Sequence, residues 1–182
     1  MKRFGFGLLF TAMVTTSSQA ATTAEPGLIR QFFYSGAVCQ PLDGSANANY
    51  SQFGVHNVGA TPLTVVCPLP ISVTRLPPGP PGTLLTENVY TVQVDAYDRD
   101  PGPNLANAVT CTLRNLGGDG NPIYSSTPQS TGFSGPSMMA LTFTPPTGTT
   151  FNLMWDVVCT IPAAIGTSYS HVTNIQVGVK QP

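Results

Sequence analysis

Charge is scarce in this chain: Asp, Glu, Lys and Arg make up 8% of its residues, against about 25% in an ordinary soluble domain. Ser, Thr, Asn and Gln must therefore make the surface polar. Beyond Lys2 and Arg3, five basic residues (Arg30, Arg75, Arg99, Arg114, Lys180) stand against eight acidic ones, a net charge of −3. That balance argues against nucleic acid, whose binding rests on many Lys and Arg at phosphates. It argues equally against docking on an anionic membrane surface. Two kinds of protein carry so neutral a coat. One is an extracellular β-protein with a polar surface. The other self-associates or lies against neutral polymers such as glycans, where charge would cost desolvation.

Catalytic equipment is thin as well. Histidine occurs twice, at His56 and His171, and glutamate twice, at Glu25 and Glu87. A hydrolytic triad would need one of those histidines beside a Ser and an Asp, and nothing in the spacing marks such a set. There is no G-x-S-x-G elbow, since Gly132-Phe133-Ser134-Gly135 has the wrong spacing. Glycosidase chemistry would need paired carboxylates, one of them in an apolar setting, and neither glutamate offers that. The four cysteines form no C-x-x-C and have no paired His, so a zinc site is poorly supported. The chain reads as non-enzymatic.

Long apolar runs are the third absence. A membrane-spanning helix needs about 20 apolar residues, and no stretch reaches that. The longest candidate, Phe4–Val14, follows Met1-Lys2-Arg3 and precedes small residues, with Ser18 and Ala20 at the −3 and −1 positions of a cut before Ala21. This pattern predicts a signal peptide over residues 1–20, and so export to the periplasm or the extracellular medium. Residues 21–30 are then expected as a flexible N-terminal segment. Residues 31–182 are expected to form one domain, large enough for a real core.

What the sequence does hold is β pattern. Val89–Ala96 alternates Tyr90, Val92, Val94 and Ala96 with polar residues. Ala108–Arg114 sets Val109, Cys111 and Leu113 on one face. Phe151–Cys159 does the same with Phe151, Leu153, Trp155, Val157 and Cys159. In Ser137–Thr144 the phase is Met139, Leu141 and Phe143, and in His171–Val179 it is Ile175, Val177 and Val179. Period two predicts half-buried strands. Phe32–Cys39, Tyr50–Asn57 and Leu63–Leu69 are further candidates. Turn-forming stretches separate them: Pro77–Gly82, Asp100–Asn104, Gly117–Asn121 and Pro145–Gly148. About eight short strands with no crossover helix predict an all-β, antiparallel sandwich or jelly-roll.

Four cysteines in an exported chain are read as two disulfides. Three connectivities exist. Cys111, Cys159 and Cys67 fall on the apolar faces of their strands and Cys39 at the end of the first, which favours Cys39–Cys67 with Cys111–Cys159. Trp155, in phase with Cys159, is expected in the core.

Asp95, Asp98 and Asp100 cluster before Pro101-Gly102-Pro103-Asn104. Carboxylates with an Asn and turn carbonyls are the donors that Ca²⁺ takes, so these three are candidate metal ligands. The opposing reading is a solvated acidic loop tip, because D-x-x-D-x-D is no EF-hand, no Glu closes it and Arg99 lies within it. Several of Phe32, Phe33, Tyr34, Tyr50, Phe53, Tyr90, Tyr97, Tyr124 and Tyr169 lie in or beside loops, where aromatic faces can stack on sugar rings. As strand fillers they are equally ordinary.

Phe53-Gly54-Val55-His56-Asn57, Val65–Pro70, Val109–Leu113 and Val158–Pro162 together resemble a loose group of small exported, disulfide-bonded proteins of Gram-negative bacteria that carry no assigned activity. The resemblance spans residues 37–179. It implies a bacterial host and a disulfide-bonded sandwich, and no catalytic residues. The expected function is a non-catalytic interaction module that binds a glycan, an envelope component or a protein partner. The alternatives are a self-assembling structural protein and a secreted hydrolase.

Overall fold

The computed structural model describes residues 29–69, 88–99, 107–132, 136–146 and 154–180. The predicted signal peptide, Asp100 and the Pro77–Gly82 turn lie outside them. Twelve strands occur among these residues, more than the eight expected: β1 Ile29–Ser35, β2 Gln40–Pro41, β3 Ala48–Ser51, β4 Gly54–Asn57, β5 Leu63–Leu69, β6 Asn88–Asp98, β7 Thr110–Leu116, β8 Pro122–Ser125, β9 Gln129–Ser130, β10 Ser137–Phe143, β11 Met154–Ile161 and β12 His171–Lys180. The surplus comes from short polar strands without apolar alternation. β8 and β9 exist because the edge of β7 offers unpaired backbone groups, which they satisfy in tandem. Strand β1 already includes Ile29 and Arg30, paired with Lys180 and Val179, so the domain begins before residue 31.

All pairings are antiparallel, and the strands form two six-stranded sheets. The first runs β10-β6-β12-β4-β3, with β1 beside β4 on the same edge of β12. The second runs β2-β5-β11-β7-β8, with β9 beside β8. This is a β-sandwich, and its inner faces meet in one core. Val92, Val94 and Ala96 of β6 and Ile175, Val177 and Val179 of β12 face Val65 and Cys67 of β5, Cys111 and Leu113 of β7 and Trp155, Val157 and Cys159 of β11. Each fully buried Val, Leu or Ile stabilises by about 1.5–3 kcal/mol through the apolar surface it removes from water.

Two runs expected as single strands are broken, and glycine explains both. Phe32–Cys39 ends as a strand at Ser35 and continues as a 3-10 turn over Gly36–Val38. A Cβ on Gly36 would lie 2.0 Å from the Val172 carbonyl oxygen, so the chain passes directly over the backbone of β12 as it leaves the first sheet. Tyr50–Asn57 is the hairpin β3–β4 instead of one strand. Its second strand opens at Gly54, whose φ of +99° and equally close approach to Val172 admit no side chain. The backbone of β12 receiving both glycines is irregular: its register against β6 shifts between Val172 and Asn174. A second shift, between Gly178 and Val179, leaves Tyr90 of β6 without a partner. Tyr90 is consequently exposed, where plain alternation had set it in phase with Val92.

The disulfides are Cys39–Cys67 and Cys111–Cys159, with all four cysteines buried. Both lie within the second sheet. Cys111 and Cys159 are directly opposite on β7 and β11, 4.1 Å apart at Cα. Cys39 leads into β2, whose partner strand β5 carries Cys67. Neither bond joins the two sheets, which therefore hold together by packing and polar ties. One such tie is Asn57 of β4, buried, whose Nδ2 donates to the carbonyls of Thr61, Ile161 and Pro162 while its Oδ1 accepts from Gly59 N–H.

Buried polar groups elsewhere are handled unequally. On the outer side of the second sheet Arg114 donates from Nε and Nη2 to both carboxylate oxygens of Asp156, directly across the β7–β11 pair. That fork holds the guanidinium pKa above its usual value. On the inner side Asn115 and Trp155 also stand opposite each other. Among the described residues neither the Asn115 amide nor Trp155 Nε1 has a hydrogen-bond partner, and a group left unsatisfied costs about 1–3 kcal/mol.

Candidate functional site

The candidate site is the outer face of the first sheet. Alternation sends the odd-numbered polar residues of β6 outward while Val92, Val94 and Ala96 turn in. On β1, Phe32 and Tyr34 pack against the core, so Phe33 between them points out and is 62% exposed. The register then lines up residues from four strands. One row is Thr142, Gln93, Gln176 and Phe33; the next is Ala140, Asp95, Asn174 and Ser35. Directly opposed residues in antiparallel strands hold their Cβ atoms about 4.5–5.5 Å apart, so each row is one continuous strip of side chains.

Within the strips, Asp95 accepts from Gln93 Nε2 at 2.8 Å and from Asn174 Nδ2 at 3.5 Å. Each of the two amides keeps a second N–H and a carbonyl oxygen. The result is a flat patch with one carboxylate, three amides and an exposed aromatic ring.

A third row closes the patch: Met138, Tyr97, His171, His56 and Asn49. Tyr97 and His171 stack with ring centroids 4.9 Å apart, and His56 lies 5.4 Å from the Tyr169 ring. Burial pushes both imidazole pKa values down. For His171 repulsion from His56 adds to this, and a hydrogen bond to the Tyr169 backbone acts against it. Both rings are therefore biased toward the neutral imidazole, which carries one donor and one acceptor. The sign for stability follows. A histidine whose folded pKa lies below its unfolded value near 6.5 stabilises fully above that pH, and the contribution is lost as pH falls from there toward the folded value. The urea midpoint is expected to drop between pH 7.5 and pH 5, and the drop to shrink in His56→Gln/His171→Gln. An equal drop in the double variant would show that other groups govern it.

Of the three candidate metal ligands, Asp95 lies on this face and Asp98 does not. Three residues apart on a regular strand, they point to opposite sides. Asp98 is 1% exposed and accepts from Thr131 Oγ1 and Ser170 Oγ inside the domain. Asp100 lies outside the described residues. Among those residues no three His, Cys, Asp or Glu side chains converge on a point that could hold a metal ion.

The histidine row was not anticipated. Alternation marks His56 as outward but sets His171 in phase with inward Ile175, Val177 and Val179; the irregularity between Val172 and Asn174 turns it out, and only the topology makes β4 and β12 neighbours. The same holds for Phe33 and Gln176. The described residues also form a small pocket of about 80 Å³ between Arg99, Asn107, Pro162, Ser168 and Ser170. Sites that enclose a small ligand run to roughly 300–1,000 Å³, so this pocket is too small to enclose one. No family model, curated protein or solved structure matches this chain.

Two disulfides fit an oxidising compartment. No helix among the described residues is long and apolar enough to cross a membrane.

Proposed function

We propose that this protein is a non-catalytic binding module, exported to the periplasm or the medium, and that the outer face of its first sheet binds a neutral glycan. One observation carries the reading: exposed Phe33 stands in register with Gln176 and Gln93, one row from Asp95 and Asn174. A sugar ring has an apolar C–H face and a rim of hydroxyls. An aromatic ring takes the first, and a carboxylate flanked by amides takes the second, accepting and donating at adjacent hydroxyls. Neutral sugars fit better than acidic ones, because Asp95 is the charged group of these rows and would repel a uronate or sialate. A flat face without a deep pocket suits an extended polymer more than a monosaccharide.

Export is supported by the N-terminal signal pattern and the two disulfides. The resemblance to small exported bacterial proteins supports it too.

The test is retention of the mature protein on immobilised neutral and acidic polysaccharides, with Phe33→Ala and Asn174→Ala alongside. Binding to at least one neutral polysaccharide is expected, with about tenfold weaker affinity in each variant, a change of 1.4 kcal/mol. Thermal stability should hardly move in Phe33→Ala, whose ring is exposed. No retention on any neutral polysaccharide, or Phe33→Ala binding as well as the parent, would sink the reading.

A further inference from the structure

His56 and His171 stand directly opposite each other on β4 and β12. The next pair along these strands, Val55 and Val172, is fully buried. Alternation therefore turns both imidazoles to the outer face, where each is half-buried. Directly opposed residues hold their Cβ atoms about 4.5–5.5 Å apart. Two imidazoles that bind one metal ion at bond lengths of about 2.0–2.1 Å bring their ligating nitrogens about 3 Å apart. Side chains at this spacing close that gap by turning toward each other.

The surroundings hold the rings and leave lone pairs for a ligand. Tyr97 stacks on His171, with ring centroids 4.9 Å apart, and Tyr169 lies 5.4 Å from His56. One ring nitrogen of His171 donates to the Tyr169 backbone carbonyl, the kind of bond that fixes the tautomer of a metal-binding histidine. The other nitrogen is then an acceptor, and His56 supplies a second one. The row that holds both rings, Met138, Tyr97, His171, His56 and Asn49, contains no carboxylate or amine to engage them. Asp95, two residues along β6 from Tyr97, adds a negative charge on the same face that favours a cation.

We propose that His56 and His171 are a cross-strand chelate for one divalent transition-metal ion, copper(II) ahead of zinc(II), with water in the remaining positions. Two protein ligands fall short of the four that a structural zinc site takes and of the three in a catalytic one. Copper(II) binds such nitrogen sites more tightly than zinc and accepts a tetragonal set of nitrogens and water oxygens. All four cysteines are in disulfides, so no thiol competes for the ion or reduces it. With only two protein ligands the ion is exchangeable. The site is separate from Phe33 and Gln176, so it stands or falls independently of glycan binding.

Copper(II) titration of the purified protein tests the chelate. One ion per chain is expected, and pulsed electron paramagnetic resonance should count two imidazoles on it. The second imidazole of a chelate binds at an effective concentration of about millimolar or more, so His56→Gln and His171→Gln should each weaken binding at least about tenfold. The double variant should bind hardly more weakly than either single one. Histidines acting separately would instead take two ions in the parent and lose one with each substitution. Metal-free variants that melt within a few degrees of the parent confirm the fold, and the imidazole count on the parent needs no variant. One imidazole or none on the parent's copper would overturn the proposal. So would a single variant that keeps the parent's affinity, or two ions lost one per histidine.

Discussion

Replacing Cys111 and Cys159 together by alanine is expected to lower the unfolding free energy by about 4 kcal/mol. The pair is separated by 48 residues, and closing a loop of that size removes roughly 4 kcal/mol of conformational entropy from the unfolded chain. Loss of two buried sulfurs from the core adds a smaller packing penalty. Against a total of about 5–15 kcal/mol for a domain, this is enough to reduce folding yield. The cost should fall on stability more than on architecture, because the bond joins neighbouring strands of one sheet and does not tie the two sheets to each other. Near-ultraviolet circular dichroism of Trp155 should therefore survive in the folded fraction. Removal of Cys39–Cys67, separated by 28 residues, should cost about 3.5 kcal/mol on the same argument. Urea titration of both double variants provides the measurement. A loss below 1 kcal/mol for Cys111/Cys159, or a clearly larger loss for Cys39/Cys67, would contradict it.

The second large effect is expected at Asp98. Its carboxyl accepts from Thr131 Oγ1 at 2.5 Å and Ser170 Oγ at 3.3 Å, both buried. Those hydroxyls in turn accept from the backbone N–H groups of Val109 and Arg99. One buried side chain thus joins the end of β6 to the entry of β7 and to the segments before β10 and β12. Asp98→Ala would leave two buried hydroxyls without their acceptor and open a small cavity, a loss of roughly 2–6 kcal/mol at about 1–3 kcal/mol for each group left unsatisfied. Asp98→Asn keeps the volume and one acceptor and should lose about half as much. Glycan retention should be unaffected in the folded fraction of either variant, since Asp98 faces away from the outer face. A melting temperature within a degree or two of the parent for Asp98→Ala would show that the network does not clamp these segments.

Asp98 also shows where sequence pattern misleads. With Asp95 and Asp100 it reads as an acidic cluster, yet alternation on β6 sends Asp95 and Asp98 to opposite faces. Period two held over most of β6, β7, β11 and β12 because each buries one face against the other sheet. It failed at Tyr90, where a bulge adds a residue to one strand and reverses the phase. The added residue is Tyr90 itself, opposite the Gly178–Val179 step of β12, and pairing with that distant strand decides where β6 bulges.

The amino-acid order by itself determined the all-β class, most long strands and the inward face of the cysteines. These follow from local chemistry: branched residues at period two, and Gly and Pro where the chain must turn. The sequential disulfide pairing was favoured on the same grounds and is the one the fold contains. Only the tertiary structure decided that both disulfides lie within one sheet and that β1 and β4 share an edge of β12. It alone placed Phe33 beside Gln176, His56 beside His171, and Asp98 beneath Thr131 and Ser170. The physical reason is that strand neighbours here are far apart in the chain. Alternation states which way a side chain points, and pairing between distant strands states what it meets.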